Sequence, residues 1–597
     1  MRLSKLYSNT PGVLQPIVFR PGLNVVLAEI RLPENRTEST HNLGKTTLGI
    51  LLDYCLLSEP TKRFFMYTNR ALFDSFVFFL EVALFDGSFV TIRRAVAAPT
   101  KISFMLHREG LQDYSALPLA SWTHPELAID KAKEFLDGLL DARVLGRWSY
   151  RTALGYLIRA QEDFRDVFHL GKFPGAHSQW KPFLAHLLGF DAPSIERHYE
   201  KETELATKKG EEKIVERELG GSVADASKIE GLFLLRLDEV EKKQAVLDAF
   251  DFRRMDADKT VQLVDTVDEE ILRLNARRYS VAKSRRKILD SLEKETVVFD
   301  AESAAALFAE VGVLFPGQLK RDFNQVIAFN KAITDERRQY LKGDLAEIDA
   351  ELHAVQQRLE TLAAERTSTL SFLTKDDVFT RYKKLSDELV TARADLINLE
   401  RQRGFLHRLQ QLRTEVRSVQ DETTQLQTVI EKNVEDQNSE KLSHFSKIRV
   451  QFSEIIKSVI SRRGLLSVSA NKQGHLDFRA QILDEAGLPT SADEGFTYRK
   501  ILCAAFDLSL AVVNMENNYP RFVFHDGIFE SLDDRIKENL LVTIRSLSLR
   551  GVQQIVTLID SDLPARSQET PVFHSDEIIL RLHDEGESGR LFKMKAW

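Results

Sequence analysis

Gly44, Lys45 and Thr46, with Thr47 behind them, close the stretch RTESTHNLGKTTL. This is how a phosphate-binding loop of the form G-x-x-x-x-G-K-[ST] ends. In such a loop, backbone N–H groups at a helix N-terminus hold phosphate oxygens, the lysine reaches the β- and γ-phosphates, and the hydroxyl binds Mg2+. Ser39 stands where the first glycine normally does. An ordinary loop can carry Gly-Lys-Thr by chance, so the reading needs an apolar strand ending in a carboxylate to share the metal. RFVFHD, ending at Asp526, is such a run.

A strand must deliver the loop and a helix must leave it. PIVFRPGLNVVLAEI reads as two short β-rich runs around the turn RPG, and FVFFLEVALFDGSFVTIRRAV as a hairpin turning at Asp86-Gly87. Late in the chain, GLLSVSANKQGHLDFRAQILDEAG reads as a hairpin around Gln473-Gly474. A helix over FTYRKILCAAFDLSLAVVNM, the strand RFVFHD, a helix from Asp534 to Leu549 and the strand QQIVTLID follow. Both ends of the chain therefore read as mixed α/β.

The middle reads differently. Of 16 prolines only Pro316 falls between Pro193 and Pro489, and proline breaks helix interiors. Leu341, Leu345, Ile348, Leu352, Val355, Leu359 and Leu362 alternate steps of four and three, the seam of a supercoiled helix. Leu385, Leu389, Ala392, Leu396 and Leu399 resume it, and after a phase slip at Leu406 to Leu412 it returns through Val416, Val419, Leu426 and Ile430. In the first half Val264, Val267, Ile271, Leu274, Val281, Ile288 and Leu292 fit the register, interrupted by Arg278 and Arg285, and the paired glycines of LGGSVAD (219–225) predict a break. The economical arrangement is one antiparallel hairpin: an outgoing arm over 196–300, a tip over 301–337 and a returning arm over 338–437, with Lys283 and Glu360 at matching heights. Residues 1–195 and 438–597 then meet as one globular head.

Composition removes other classes. Two distant cysteines, Cys55 and Cys503, exclude a disulfide framework or a Cys-based zinc clasp. No run approaches the ~18 apolar residues of a membrane span, and MRLSKLYSN lacks the apolar core of a signal peptide, so a cytoplasmic chain without membrane contact is expected. A net charge of −7 leaves nucleic-acid binding to local patches. The densest is RRYSVAKSRRK, Arg277 to Lys287, which reads either as a phosphate contact or as the salt-bridged flank of a heptad helix. No His/Cys/Asp cluster has metal-ligand spacing.

With FRPGLNVV ahead of STHNLGKTT, and FVFHDGIFESLD after the arms, the chain resembles the SMC, RecN and RecF group of ABC-type ATPases. That resemblance implies an ABC-type head assembled from N- and C-terminal lobes with a coiled-coil hairpin between them, and ATP with Mg2+ as ligands. It places nucleotide at Ser39, Asn42, Gly44, Lys45, Thr46 and Thr47, and Mg2+ at Thr46, Asp526 and Gln161, the glutamine of YLIRAQEDF. TSADEG corresponds to the signature that closes the site of a second copy, through Ser491, Glu494 and Gly495, with Ser531 and Asp533 on the D-loop. THNLGKTTL and FVFHDGIFESLDDR look most like the SMC-like ATPases of bacterial three-component conflict systems directed at phage or plasmids. Implied partners are a second copy, DNA, and separate effector and accessory proteins.

The departures are specific. Gly527 occupies the place of the glutamate that polarises the attacking water, and the signature lacks its double glycine. Glu530 and His525 are the nearby substitutes; a solvated helix-start carboxylate and a strand-end histidine are their structural readings. A weak or partner-stimulated ATPase is therefore expected. A RecN-like DNA-repair or DNA-tethering ATPase, and a nucleotide-gated scaffold with little hydrolysis, remain as alternatives.

Overall fold

A computed structural model of the chain describes residues 1–32, 34–35, 43–59, 62, 64–171, 175–218, 226–249, 257–294, 317–370, 377–490, 495–564, 571–595 and 597. Two compact units emerge: Met1–Glu204 together with Val419–Trp597, and Leu205–Ser418.

The first unit carries thirteen strands among the described residues: β1 Arg2–Ser8, β2 Ile17–Val18, β3 Leu23–Glu29, β4 Val77–Ala83, β5 Phe89–Ala95, β6 Lys101–His107, β7 His124–Ala128, β8 Ile158–Arg159, β9 Arg463–Ala470, β10 Leu476–Leu483, β11 Phe522–Asp526, β12 Gln553–Ile559 and β13 Ile578–His583. Five of them form a parallel sheet in the order β13-β3-β12-β11-β8, in which β3 and β8 come from the first 200 residues and the rest from the last 80. The apolar runs LNVVLAE and FVFHD suit this place, since parallel strands covered on both faces need no polar alternation. The order β2-β1-β4-β5-β6-β7 makes an antiparallel sheet, and β9 pairs with β10 alone. Gln553 ties the two large sheets: its side chain accepts from the Leu3 amide and donates to the carbonyls of Leu3 and Arg20. Gly87 and Gly474 turn the two hairpins at φ +86° and +80°, a region that favours glycine.

The second unit is helical. Helices Ala226–Asp248, Ala257–Lys294, Gly317–Leu370 and the start of Asp377–Ser439 lie together. At one level Lys243 pairs with Glu388 (2.9 Å), while Arg366 reaches Asp268 (2.7 Å) and Asp387. At another, Arg403 pairs with Glu230 (2.7 Å), Arg277 with Glu351 and Arg285 with Asp349 (both 2.6 Å), and Arg401 donates to Ser280. Following the chain between these levels, successive helices run in alternating directions, so these four form an up-and-down arrangement, and the end of Ala192–Glu218 joins the unit through Arg413 with Glu212 and Glu216. Most of these pairs are exposed and worth under about 1 kcal/mol each. They record register; the stability comes from the seam, where Val355, Leu359, Leu362, Leu389, Ala392, Leu409 and Leu412 are buried.

This corrects the single-hairpin reading. Residues 317–337, expected in a small tip, belong to the 54-residue helix that continues into the expected returning arm. The helices on either side of residues 250–256 run in opposite directions, so the expected outgoing arm, which holds Ala192–Glu218, Ala226–Asp248 and Ala257–Lys294, reverses before its last helix. The register of Arg358 on Glu270 and Arg285 on Asp349 also separates Lys283 from Glu360 by about ten residues, or roughly 15 Å along a helix. Heptads specify that a helix has an apolar seam and leave its partner open. Residues 301–316 of the expected tip lie outside the described residues. The basic segment behaves as a salt-bridged flank: Arg277 and Arg285 are paired as above, Lys287 lies 3.8 Å from Glu218, and Lys283 sits over the Phe405 ring. Among the described residues no helix is long and apolar enough to cross a membrane.

Candidate nucleotide site

The loop after β3 ends at Gly44, the residue before the helix Lys45–Cys55. Gly44 has φ +102°, and a Cβ there would lie 2.6 Å from Leu591 Cβ, so conformation and packing both demand glycine. The helix has no acidic residue in its first turn to compete for the amide groups, which leaves an N-terminus suited to an anion.

Directly opposite stands the end of β11. The Thr46 hydroxyl donates to Asp526 Oδ2 at 2.6 Å, and the fully buried Asp526 accepts on Oδ1 from Thr557 at 2.5 Å. Thr557 lies beside Asp526 in the parallel register and accepts in turn from the Gly527 amide at 3.0 Å. Residues 480 positions apart thus put a hydroxyl and a carboxylate in contact at the C-terminal edge of a parallel sheet, where such sheets bind ligands. A hydroxyl plus a carboxylate is a donor set that suits Mg2+, a hard cation.

Beyond Asp526 the chain turns through Gly527 at φ +67°, and Glu530 folds back over it. Glu530 Oε1 accepts from Gln161 Nε2 at 2.7 Å and lies 3.6 Å from Lys45 Nζ, while Oε2 lies 3.6 Å from Lys500 Nζ. A Cβ at 527 would sit 2.6 Å from Glu530 Oε1 and 2.8 Å from Gln161 Nε2. The Glu530 carboxylate therefore fills the space next to position 527. Burial pushes its pKa up, opposed by Lys45 and Lys500, and burial pushes that of Lys500 down. The solvated reading of Glu530 does not describe this environment.

Residues 455–596 match the family described as "Uncharacterised protein conserved in bacteria (DUF2326)". The chain is 21% identical over 588 residues to "Uncharacterized protein YydD" of Bacillus subtilis (strain 168), covering 93% of this chain and 92% of that one. Solved structures it is similar to are Smc head domains with coiled coils. One, with a coiled coil and joint, derives from Pyrococcus yayanosii (13% identity, 94% of this chain and 92% of that one, TM-score 0.33). Another, with an extended coiled coil and bound to the C-terminal domain of ScpA, derives from Pyrococcus furiosus (11% identity, 94% and 90%, TM-score 0.34). At these TM-scores the likeness carries no geometry over to this chain.

Of the residues singled out in the sequence, Gly44, Lys45, Thr46, Gln161, Asp526 and Glu530 come together. Thr47 is the third residue of the same helix. Gly495 precedes the helix Phe496–Val513, Asp533 precedes Asp534–Leu549 without a side-chain cap bond, and Ser531 takes φ +64° with its carbonyl accepting from Thr497. Ser39, Asn42, Ser491 and Glu494 lie outside the described residues. His525 does not join the site. Alternation along β11 turns it to the other face, where Nε2 lies 3.2 Å from Asp507 Oδ2. Two participants carry no local signal: Thr557, found only through the parallel register, and Lys500, which donates to the Gly527 carbonyl at 3.0 Å from a mostly apolar helix.

Proposed function

We propose that the chain is an ATP-binding, SMC-like switch ATPase. The observation that supports this reading above all is the 2.6 Å contact between Thr46 and Asp526, because it joins a loop hydroxyl and a strand-end carboxylate 480 residues apart directly behind a Gly-Lys pair. Gly44, Lys45, Thr46 and Thr47, with Ser39 and Asn42, hold the phosphates; Thr46, Asp526 and Gln161 hold Mg2+, which when bound neutralises developing phosphate charge. Glu530 receives the proton of the attacking water. Ser491, Glu494, Gly495, Ser531 and Asp533 close the site of a second copy, and that ATP-dependent association of heads, on DNA, controls a separate effector in a bacterial defence system.

The test is ATP binding by the full chain. Lys45→Ala removes the cation of the Gly-Lys-Thr run and abolishes binding in calorimetry together with any ATP-dependent association in sedimentation. Unchanged ATP affinity in that variant removes the assignment.

The same geometry predicts the outcome of restoring the carboxylate that position 527 lacks. Gly527→Glu lowers turnover further, because the new side chain needs the positive φ that glycine supplies and displaces both Glu530 and Gln161. A rise in steady-state hydrolysis by this variant would show that Glu530 leaves the position open.

A further inference from the structure

We infer that His198, Glu202 and His475 form a binding site for one divalent transition-metal ion of the zinc class, clipping the β9–β10 hairpin to the helix Ala192–Glu218. Their ligating atoms all lie within 4.8 Å of one another. His198 and Glu202 are four residues apart on one helix face, and His475 follows the glycine of the hairpin turn.

The hairpin is held firmly to that helix. The Asn471 side chain accepts from the amides of Gln473 and His475, and the Asn471 amide donates to the His475 carbonyl. His475 stacks on Tyr199 at 4.8 Å, and Gly474 approaches so closely that a Cβ would meet His198 Nε2 at 3.1 Å. His475 Nε2 donates to Glu202 Oε2 at 2.6 Å, and His198 Nδ1 lies 3.9 Å from the same oxygen.

A plain hydrogen-bonded cluster accounts for His475 and Glu202 but leaves His198 unexplained. Its ring is 1% exposed and its Nε2 has no hydrogen-bond partner, although buried polar atoms are paired in the large majority of cases. Two imidazoles and one carboxylate are a complete protein ligand set for zinc with a fourth position for water. Tetrahedral bonds of about 2.0–2.1 Å put donors roughly 3.4 Å apart, so the widest span closes by roughly 1.4 Å, within reach of the partly exposed His475 and Glu202 side chains. No metal-ligand spacing is visible in the sequence because His475 lies 273 residues from Glu202.

The test uses the full chain, freed of any affinity tag, with Zn2+ titrated against a chromophoric chelator and Co2+ as a spectroscopic probe. Wild type is expected to bind one Zn2+ per chain, and Co2+ to give the visible bands of low-symmetry coordination. Glu202→Gln and His475→Ala, checked by circular dichroism for retained fold, each weaken binding by more than the roughly 10- to 100-fold that losing even an outer-shell partner costs. His177→Ala, outside the set, leaves affinity unchanged. Zn2+ raises the unfolding temperature of wild type and leaves that of His475→Ala where it is. Absence of stoichiometric binding overturns the site, and so does binding that survives both substitutions or is lost with His177→Ala.

Discussion

Glu530→Gln lowers ATP turnover by roughly 10²- to 10⁴-fold, the range for removing a positioned general base, while ATP affinity stays near that of wild type. The amide keeps the size of the side chain and can still bond Gln161, so the loop is preserved and only the proton acceptor is lost. Single-turnover hydrolysis beside calorimetric binding separates the two. Turnover equal to wild type sinks the assignment of Glu530, and lost binding would mean that Glu530 matters through its hold on Lys45. The pH profile gives an independent reading. Burial raises the Glu530 pKa, and the base must be deprotonated, so activity falls as pH drops through that raised value. The acid limb of turnover therefore lies above the ordinary glutamate range, and a limb within that range argues against this residue.

Asp507→Ala costs the first unit about 3–5 kcal/mol, the penalty of stripping the partner from a buried ion pair. Arg159 and Asp507 are both fully buried and bond in two places, Nε to Oδ2 at 2.7 Å and Nη2 to Oδ1 at 2.8 Å. The remaining guanidinium donors go to the carbonyls of Asp163, Asp166 and Val167. Without Asp507 the charge stays buried with only neutral acceptors. The loss is read from denaturant unfolding. Replacing both partners with apolar side chains is expected to cost less than Asp507→Ala alone, because no charge is then left uncompensated. A loss under about 1 kcal/mol for Asp507→Ala would show that solvent or His525 relieves Arg159. Arg159 ends β8 two residues before Gln161, so loosening this pair also loosens the Gln161 contact to Glu530.

What the sequence determined by itself is what depends on near neighbours. Period-two and apolar runs located β4, β5, β9, β10, β11 and β12, Asp86-Gly87 and Gln473-Gly474 located two turns, and the helix from Asp534 to Leu549 matches its reading. The four-three seam located residues that are buried, Val355, Leu359 and Leu362 among them. These signals survive because side-chain direction within an element is fixed by its own repeat. Which element meets which is a different question. The same seam fits a single hairpin or four alternating helices, and the choice was made by pairs such as Arg366 with Asp268 and Arg403 with Glu230, far apart in sequence. Gly527 read as a missing carboxylate; only the tertiary structure brings Glu530 into that space, with Lys500 beneath it and Thr557 beside Asp526. The Arg159–Asp507 pair and the His198, Glu202 and His475 cluster are of the same kind. The chemistry of a charged or ligating group is set by what lies within a few ångströms of it, and over hundreds of residues of separation that distance is decided by the packing of sheets and helices, which no local pattern encodes.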